Sequence, residues 1–455
     1  MKWIKRIAIA FGALLVILAA APFVIVLDDY VPRIEKAVSA KLKEPVSIRQ
    51  LRFSALPLPH LKVDGITIGK TEDLRVGKVI VRPDLWSLME PVKVIKSIDI
   101  EDLVLTQKGA DKIPDWTAGD AKPRAQPKTA PIRVESIRLD NAMIKLAKVS
   151  FGPFDARINL NRAGFPTDAS IETRDGKLKA FIKPDKPDYY LIDVSAQAWR
   201  LPAGPAILFD EIHIKGIATS KQVHLGEIRA RLYGGSISGK GDIGWHKGMH
   251  LKGNLNIRRV ELNSLVPLFS SKTRMSGRLD AKPVFSASTP KAAQLLDALR
   301  LETPFNVQDG VYYGVDLQKA AMSFVKGEIR GGETRFEELS AHFALDRGTQ
   351  RLTNLKIVSG SYAANGHVTI SAEKALSGRI NAEIKAAKLT AASVPLNVSG
   401  TVDSPMLFPT AAYLAGAAAG TAVLGPGLGT SVGAKVGDWV DSVFGSGSQG
   451  KSPAQ

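Results

Sequence analysis

Arg379-Ile380-Asn381-Ala382-Glu383-Ile384-Lys385-Ala386 alternates polar and apolar side chains without a slip. Tyr362, Ala364, Gly366, Val368 and Ile370 alternate in the same way against Ser361, Asn365, His367 and Thr369. Val394, Leu396, Val398 and Val402 repeat the pattern against Pro395, Asn397, Ser399 and Thr401. Period two is the spacing of a strand with one apolar and one wet face. Several such strands in succession, joined by Gly, Asn, Asp and Ser turns, predict an antiparallel sheet with one long oily side.

Upstream the pattern predicts strands at Val46–Phe53, Leu61–Ile68, Val76–Arg82, Val92–Gln107, Ile132–Leu139, Ala142–Lys148, Phe154–Leu160, Ala169–Glu172 and Tyr189–Gln197. It continues at Ile207–Ile217, Gln222–Leu225, Glu227–Leu232, Ser236–Trp245 and His250–Val260. Helices are few. Val31, Ile34, Val38 and Leu42 share one helical face, which Asp28 or Asp29 can cap and Pro45 ends. Short helices are predicted at Asp84–Met89, Leu262–Phe269, Lys291–Leu299 and Val315–Phe324. Gly109–Pro131 is rich in Pro, Lys, Ala and Asp without periodicity and reads as a solvated loop. The fold class is mainly β with a few short helices. An echo links Leu232-Tyr233-Gly234-Gly235 to Ser361-Tyr362-Ala363-Ala364 and suggests sheet segments added end to end.

Both termini differ in kind. Lys2, Lys5 and Arg6 precede an uncharged apolar run from Ile7 to Leu27, and Asp28-Asp29 follow it. At about 1.5 Å per helical residue this run spans a bilayer, with residues 1–6 cytoplasmic and the rest of the chain across the membrane. A cleaved signal peptide ending at Ala19-Ala20-Ala21 is the competing reading, but the apolar run continues past those alanines into Pro22. At the other end no charge occurs between Ser404 and Ala434, and Gly416 and Gly420 have the spacing that lets apolar helices pack closely. Residues 410–445 are expected to form either a membrane-dipping hairpin or a plug over one end of the sheet, and 446–455 to be disordered. Between them the chain divides at 28–108, the loop 109–131, a central β portion 132–300 and a C-terminal β region 301–409.

Net charge is +17 over 455 residues. The Lys and Arg are spread over the wet strand positions, and aromatics are only 7%, so no basic stripe interleaved with aromatics points to nucleic acid. The same charge suits anionic lipid headgroups. The absence of cysteine removes disulfides, thiolate catalysis and Cys-based metal sites. Gly234–Gly241 nearly spells a phosphate-binding loop, but Gly241 stands where a hydroxyl is needed and strand pattern follows. His246 and His250 flank Gly248, where a turn is expected in place of the helix a metal pair needs; His213, His342 and His367 sit singly among strand residues. Asp99, Glu101 and Asp102 read as surface charge. No nucleophile elbow occurs. An enzyme is not expected, nor a cofactor or metal.

Asp309-Gly310-Val311-Tyr312-Tyr313-Gly314-Val315-Asp316-Leu317 opens a block that runs through Gly332–Leu339 and closes at Val394–Pro405. With Leu232–Gly235, the Asp111–Trp116 turn and the N-terminal apolar run, it resembles the AsmA family of bacterial envelope proteins, most strongly over 207–245 and 305–409. The resemblance implies an inner-membrane anchor and a periplasmic body built as an elongated, curled antiparallel β-sheet groove that holds phospholipid or other acyl chains and serves outer-membrane assembly. The inner membrane is the implied partner, with the outer membrane or envelope proteins as further ones. Val368, Ile370, Ile380, Ala382, Ile384, Leu396 and Val398, from the cleanest alternations, are the expected groove lining. A sandwich core is the alternative use of these residues, and a membrane-anchored scaffold for envelope proteins is the alternative function.

Overall fold

A computed structural model describes residues 27–424 and Ala434, except 55–57, 118–131, 147–148, 203, 247, 291–293, 296, 323–330 and 387–388. The chain divides into two compact units, one of residues 1–206 with Glu211–Ser220 and one of Ile207–Asp210 with Lys221–Gln455.

In the first unit, β1 (Val46–Ser54), β2 (His60–Ile68), β3 (Leu74–Pro83) and β4 (Lys93–Thr106) follow one another antiparallel. A 3-10 turn at Trp86–Met89 occupies the predicted helical position before β4. The sheet then departs from the all-antiparallel expectation. β5 (Ile132–Val134) and β6 (Ser136–Lys145) both run parallel to β4. β7 (Ser150–Leu160), β8 (Pro166–Thr173), β9 (Leu178–Lys186) and β10 (Tyr189–Arg200) continue antiparallel from β6. β11 (Leu208–Ala218) follows, most of it belonging with this unit.

A parallel pair needs a crossover, and here its first part is a helix, α2 (Gln107–Thr117), where the sequence reads as loop. It is held by polar contacts to the β2–β3 turn. The Asp73 carbonyl accepts from both the Thr106 amide and its hydroxyl, at 3.0 Å each. Lys112 reaches Asp73 at 2.7 Å and Glu44 at 2.6 Å. At Gly109 a Cβ would lie 2.2 Å from that same carbonyl oxygen. Gly109→Ala is therefore expected to cost about 1–3 kcal/mol through overpacking, read as a lower melting temperature; an unchanged melt would contradict the tight docking of α2.

The Asp73 side chain is 1% exposed. Its hydrogen bond from Lys112, and then that from the Thr71 hydroxyl, hold its carboxyl below the usual carboxylate range. A depressed folded-state value stabilises above the unfolded value near about 3.9 and loses that contribution as pH falls through the folded value. Between those limits the wild type should lose stability with falling pH more steeply than Asp73→Asn, measured by melting across an acid series. Equal slopes would remove Asp73 from the acid response.

Ahead of β1 lies α1 (Val31–Leu42), preceded by a 3-10 turn at Asp28–Tyr30. The aspartates do not cap it: Tyr30 is the N-cap residue, without a side-chain hydrogen bond. The helix packs on β1. Ser39 Oγ accepts the Val46 amide at 3.0 Å and Glu35 Oε1 accepts the Ile48 amide at 2.7 Å, so α1 covers amides on the free edge of β1. All but the last residue of the predicted anchor, 7–27, lies outside the described residues, among which no helix is long and apolar enough to cross a membrane.

In the second unit, β12 (Gln222–Leu232), β13 (Gly235–Gly244) and β14 (Met249–Glu261) are joined antiparallel. β12 is one strand with a register shift between Leu225 and Ile228, where the sequence suggests two. β15 (Arg274–Ala281) and β16 (Val284–Thr289), which alternation does not pick out, lie in succession between β14 and β17 (Arg300–Tyr313), each pairing with both. β18 (Glu333–Asp346), β19 (Thr349–Val358), β20 (Tyr362–Ile370), β21 (Leu376–Ala386), β22 (Leu389–Thr401) and β23 (Ser404–Pro409) then pair in sequence order, antiparallel throughout. Among the described residues three helices accompany them: α3 (Leu262–Leu265), α4 (Leu317–Met322) and α5 (Ala411–Leu424). The helix expected at Lys291–Leu299 falls partly outside the described residues; its described part has a 3-10 residue at Gln294 followed by turns, with the Ala298 amide donating to the Gln294 carbonyl at 3.1 Å.

The two echoed segments are both hairpins, but their tyrosines are not equivalent. Tyr233 and Gly234 form the β12–β13 turn with φ of 45° and 73°. Tyr362 opens β20 with its ring buried, and its hydroxyl donates to the Arg335 carbonyl.

Candidate functional site

The oily side of the second unit is a set of cross-strand rows. Leu279, Val307, Leu339, Ile357, Ala364, Ala382 and Val394 lie opposite one another in turn from β15 to β22. A second row joins Leu355, Gly366, Ile380, Leu396 and Pro409. A third runs Thr303, Phe343, Leu352, Val368, Gly378, Val398 and Leu407. Leu352 and Leu355 share this face although three residues apart, because β19 is irregular between them and Asn354 takes φ 50°. A bulge of this kind adds the residue that restores the side-chain phase. At Gly310 a Cβ would lie 2.4 Å from the Phe336 ring, so only glycine lets that ring lie flat on the sheet.

Part of this face is closed. On α4, Leu317, Ala320 and Ala321 are buried, and the helix packs on β18, β21, β22 and β23. Tyr413 and Ala417 of α5, with Ala434, join the same apolar cluster. Thr410 caps α5, its hydroxyl accepting the Tyr413 amide at 3.4 Å and its own amide donating to the Pro395 carbonyl at 2.9 Å. The described part of α5 thus shares the apolar cluster of the sheet through Tyr413 and Ala417, and Leu428–Phe444 apart from Ala434 lies outside the described residues.

The rest of the face borders a cavity of about 660 Å³, within the roughly 300–1,000 Å³ typical of sites for small apolar ligands. Its walls include Phe305, Phe343, Leu352, Val368, Ile370, Leu376 and Val398, together with Leu262, Phe269 and Met275. Phe269 is 65% exposed. No charged side chain lines the cavity among the described residues. The threonine hydroxyls in the lining are engaged by the protein itself. Thr303 accepts the Lys282 amide and donates to the Pro304 carbonyl; Thr334 accepts the Leu317 amide and donates to the Val315 carbonyl; Thr273 accepts from the Ser270 hydroxyl. Burial raises the pKa of the Tyr312 phenol, and burial followed by the charge of Asp316 pushes Tyr362 up to about 12, so both rings stay neutral. A lumen of this kind offers hydrocarbon contact and little to fix a polar ligand.

Of the seven residues expected to line a groove, Val368, Ile370, Ile380 and Val398 border the cavity. Ala382 and Leu396 have no exposure at all, and Ile384 packs against the same cluster. Phe305, Phe343, Leu352 and Leu355 are cavity residues that alternation misses. The bulge at Asn354 hides Leu352 and Leu355, and Asp309 with φ 51° interrupts the phase of β17 beyond Phe305.

The other chemistry considered in the sequence is dispersed. Gly235–Gly244 is strand. His250 Nδ1 is 3.0 Å from the Ser288 hydroxyl, while His213 Nε2 is 3.0 Å from Glu211. Asp99 pairs with Arg82, Glu101 with Lys78, and Asp102 accepts from Asn141 at 2.6 Å. Among the described residues no three His, Cys, Asp or Glu side chains gather as a metal site.

Fold and site together define a mainly antiparallel β protein with an open apolar cavity bordered by the sheet of its second unit. The AsmA family model matches residues 95–355, more than half the chain, and the protein belongs to that family. Searches of curated proteins and of solved structures returned no match.

Proposed function

We propose that the chain is an inner-membrane-anchored protein of the bacterial periplasm whose second unit binds the acyl chains of a lipid, contributing to outer-membrane assembly and phospholipid homeostasis without catalysis. The observation that carries this is the cavity of about 660 Å³, without a charged lining residue among the described residues and with its threonine hydroxyls engaged by the protein. Membership of the AsmA family and the apolar run at Ile7–Leu27 support the envelope setting. Each methylene moved from water into such a lumen gains about 0.8 kcal/mol, so occupancy should rise steeply with chain length. The test is titration of the full chain, held in amphipol, with an intrinsically fluorescent long-chain fatty acid. Saturable binding that phospholipid displaces, and that an eight-carbon acid displaces far less well, is expected. Binding that does not saturate, or that short chains displace equally, would overturn the reading.

A further inference from the structure

The two ends of the first unit's sheet differ. At one end lie the β2–β3 turn Gly69–Asp73 and the β8–β9 turn Arg174–Lys177, both built from polar residues and glycine. Among the described residues in the connections at this end, the most exposed large apolar side chains are Leu146 at 36% and Ile113 at 39%. At the opposite end four connections carry bare apolar tips, while the β9–β10 turn there, Pro187–Asp188, has only Tyr189 beside it at 40% exposure. Leu58 in the β1–β2 connection is 65% exposed, and Trp86 and Met89 before β4 are 81% and 89% exposed. Ile132 at the start of β5 and Phe165 in the β7–β8 turn are 68% and 64% exposed. The registers Ser54 to His60, Pro83 to Ile95, Lys93 to Ile132 and Leu160 to Pro166 place these connections at one end. They stay there because the crossover after β4 returns the chain to that end and makes β5 and β6 parallel to β4.

The chain also enters this unit from that side. Glu35 and Ser39 bond to Ile48 and Val46, so α1 runs antiparallel to β1 along its edge. The eight steps from Val31 to Ser39 cover roughly 12 Å, or about four strand residues. The first turn of α1 thus lies beside Gln50, and the preceding turn at Asp28–Tyr30, which packs on β1, lies further toward Ser54. Leu27 therefore meets the unit at the end that carries the bare tips, and the sequence before it is apolar from Ile7 onward.

We propose that this end of the sheet is a bilayer-contact surface, on which Leu58, Trp86, Met89, Ile132 and Phe165 enter the boundary between headgroups and acyl chains of the membrane that holds the preceding segment. Tryptophan suits that boundary, and an apolar fringe otherwise left in water is the mark of a contact site. The inference rests on the membrane-anchor reading of Ile7–Leu27 and is independent of the cavity.

The chain has no cysteine, so single substitutions report cleanly. Trp86→Cys and Phe165→Cys at this end, and Lys70→Cys and Gly176→Cys at the other, are labelled with a solvatochromic dye in the full chain. The labelled chains are reconstituted into vesicles of phosphatidylethanolamine and phosphatidylglycerol, with or without brominated acyl chains. Blue-shifted emission quenched by bromine at 86 and 165, and neither at 70 and 176, is expected. Vesicles that float with the protein while all four dyes stay water-exposed would overturn the contact surface and leave the anchor standing. A blue shift at 86 and 165 without bromine quenching would assign the surface to a second copy of the chain and overturn the proposal. Protein that does not float with the vesicles would overturn both the contact surface and the anchor.

Discussion

Leu396→Asp should unfold the second unit. Leu396 has no solvent exposure; it lies between Ile380 and Pro409 in register, in the cluster that α4 and α5 complete. Removing a buried leucine side chain alone costs about 2–5 kcal/mol, and an unpaired carboxylate in the same place costs more. Against a total of roughly 5–15 kcal/mol for a domain, little cooperative folding should remain. The readouts are loss of the second unit's thermal transition and rapid proteolysis within residues 221–424. A variant that melts like the wild type would mean that Leu396 is not enclosed.

The paired substitution Leu352→Glu with Ile370→Glu should leave the unit folded and empty the cavity. Both side chains are only partly buried cavity walls, so their carboxylates can hydrate outward into the opening. Two charges in a hydrocarbon lumen should weaken acyl binding by at least about 100-fold, close to 2.8 kcal/mol. The melting temperature should fall by less than half the shift caused by Leu396→Ala. If the double variant instead unfolds as Leu396→Asp does, these residues are core, and the sandwich alternative gains what the cavity loses.

Much of the fold was legible because the strands obey period two where one face is wet. β20, β21 and β22 appear within a few residues of their expected bounds, and the seven residues drawn from them all lie on one face. What period two could not show is what sits above that face. Ala382 and Leu396 look the same in sequence as Val368 and Val398, yet one pair is fully enclosed and the other borders the cavity, because α4 and α5 come from distant segments. Bulges hid the remaining cavity residues, since a single left-handed residue such as Asn354 reverses the phase. The parallel step after β4 was equally invisible: Lys112 and Gly109 hold α2 through a carboxylate and a carbonyl, contacts that strand alternation does not report.

Neighbouring strand residues on opposite faces provide the most direct test. A photo-crosslinking side chain at Ile370 or Leu352, in the full chain within intact cells, should form a phospholipid adduct detectable by mass spectrometry. The same group one residue away, at Thr369 or Arg351, should not. Adducts only to protein at Ile370 and Leu352, or lipid adducts of equal yield on both faces, would contradict an acyl chain in the cavity.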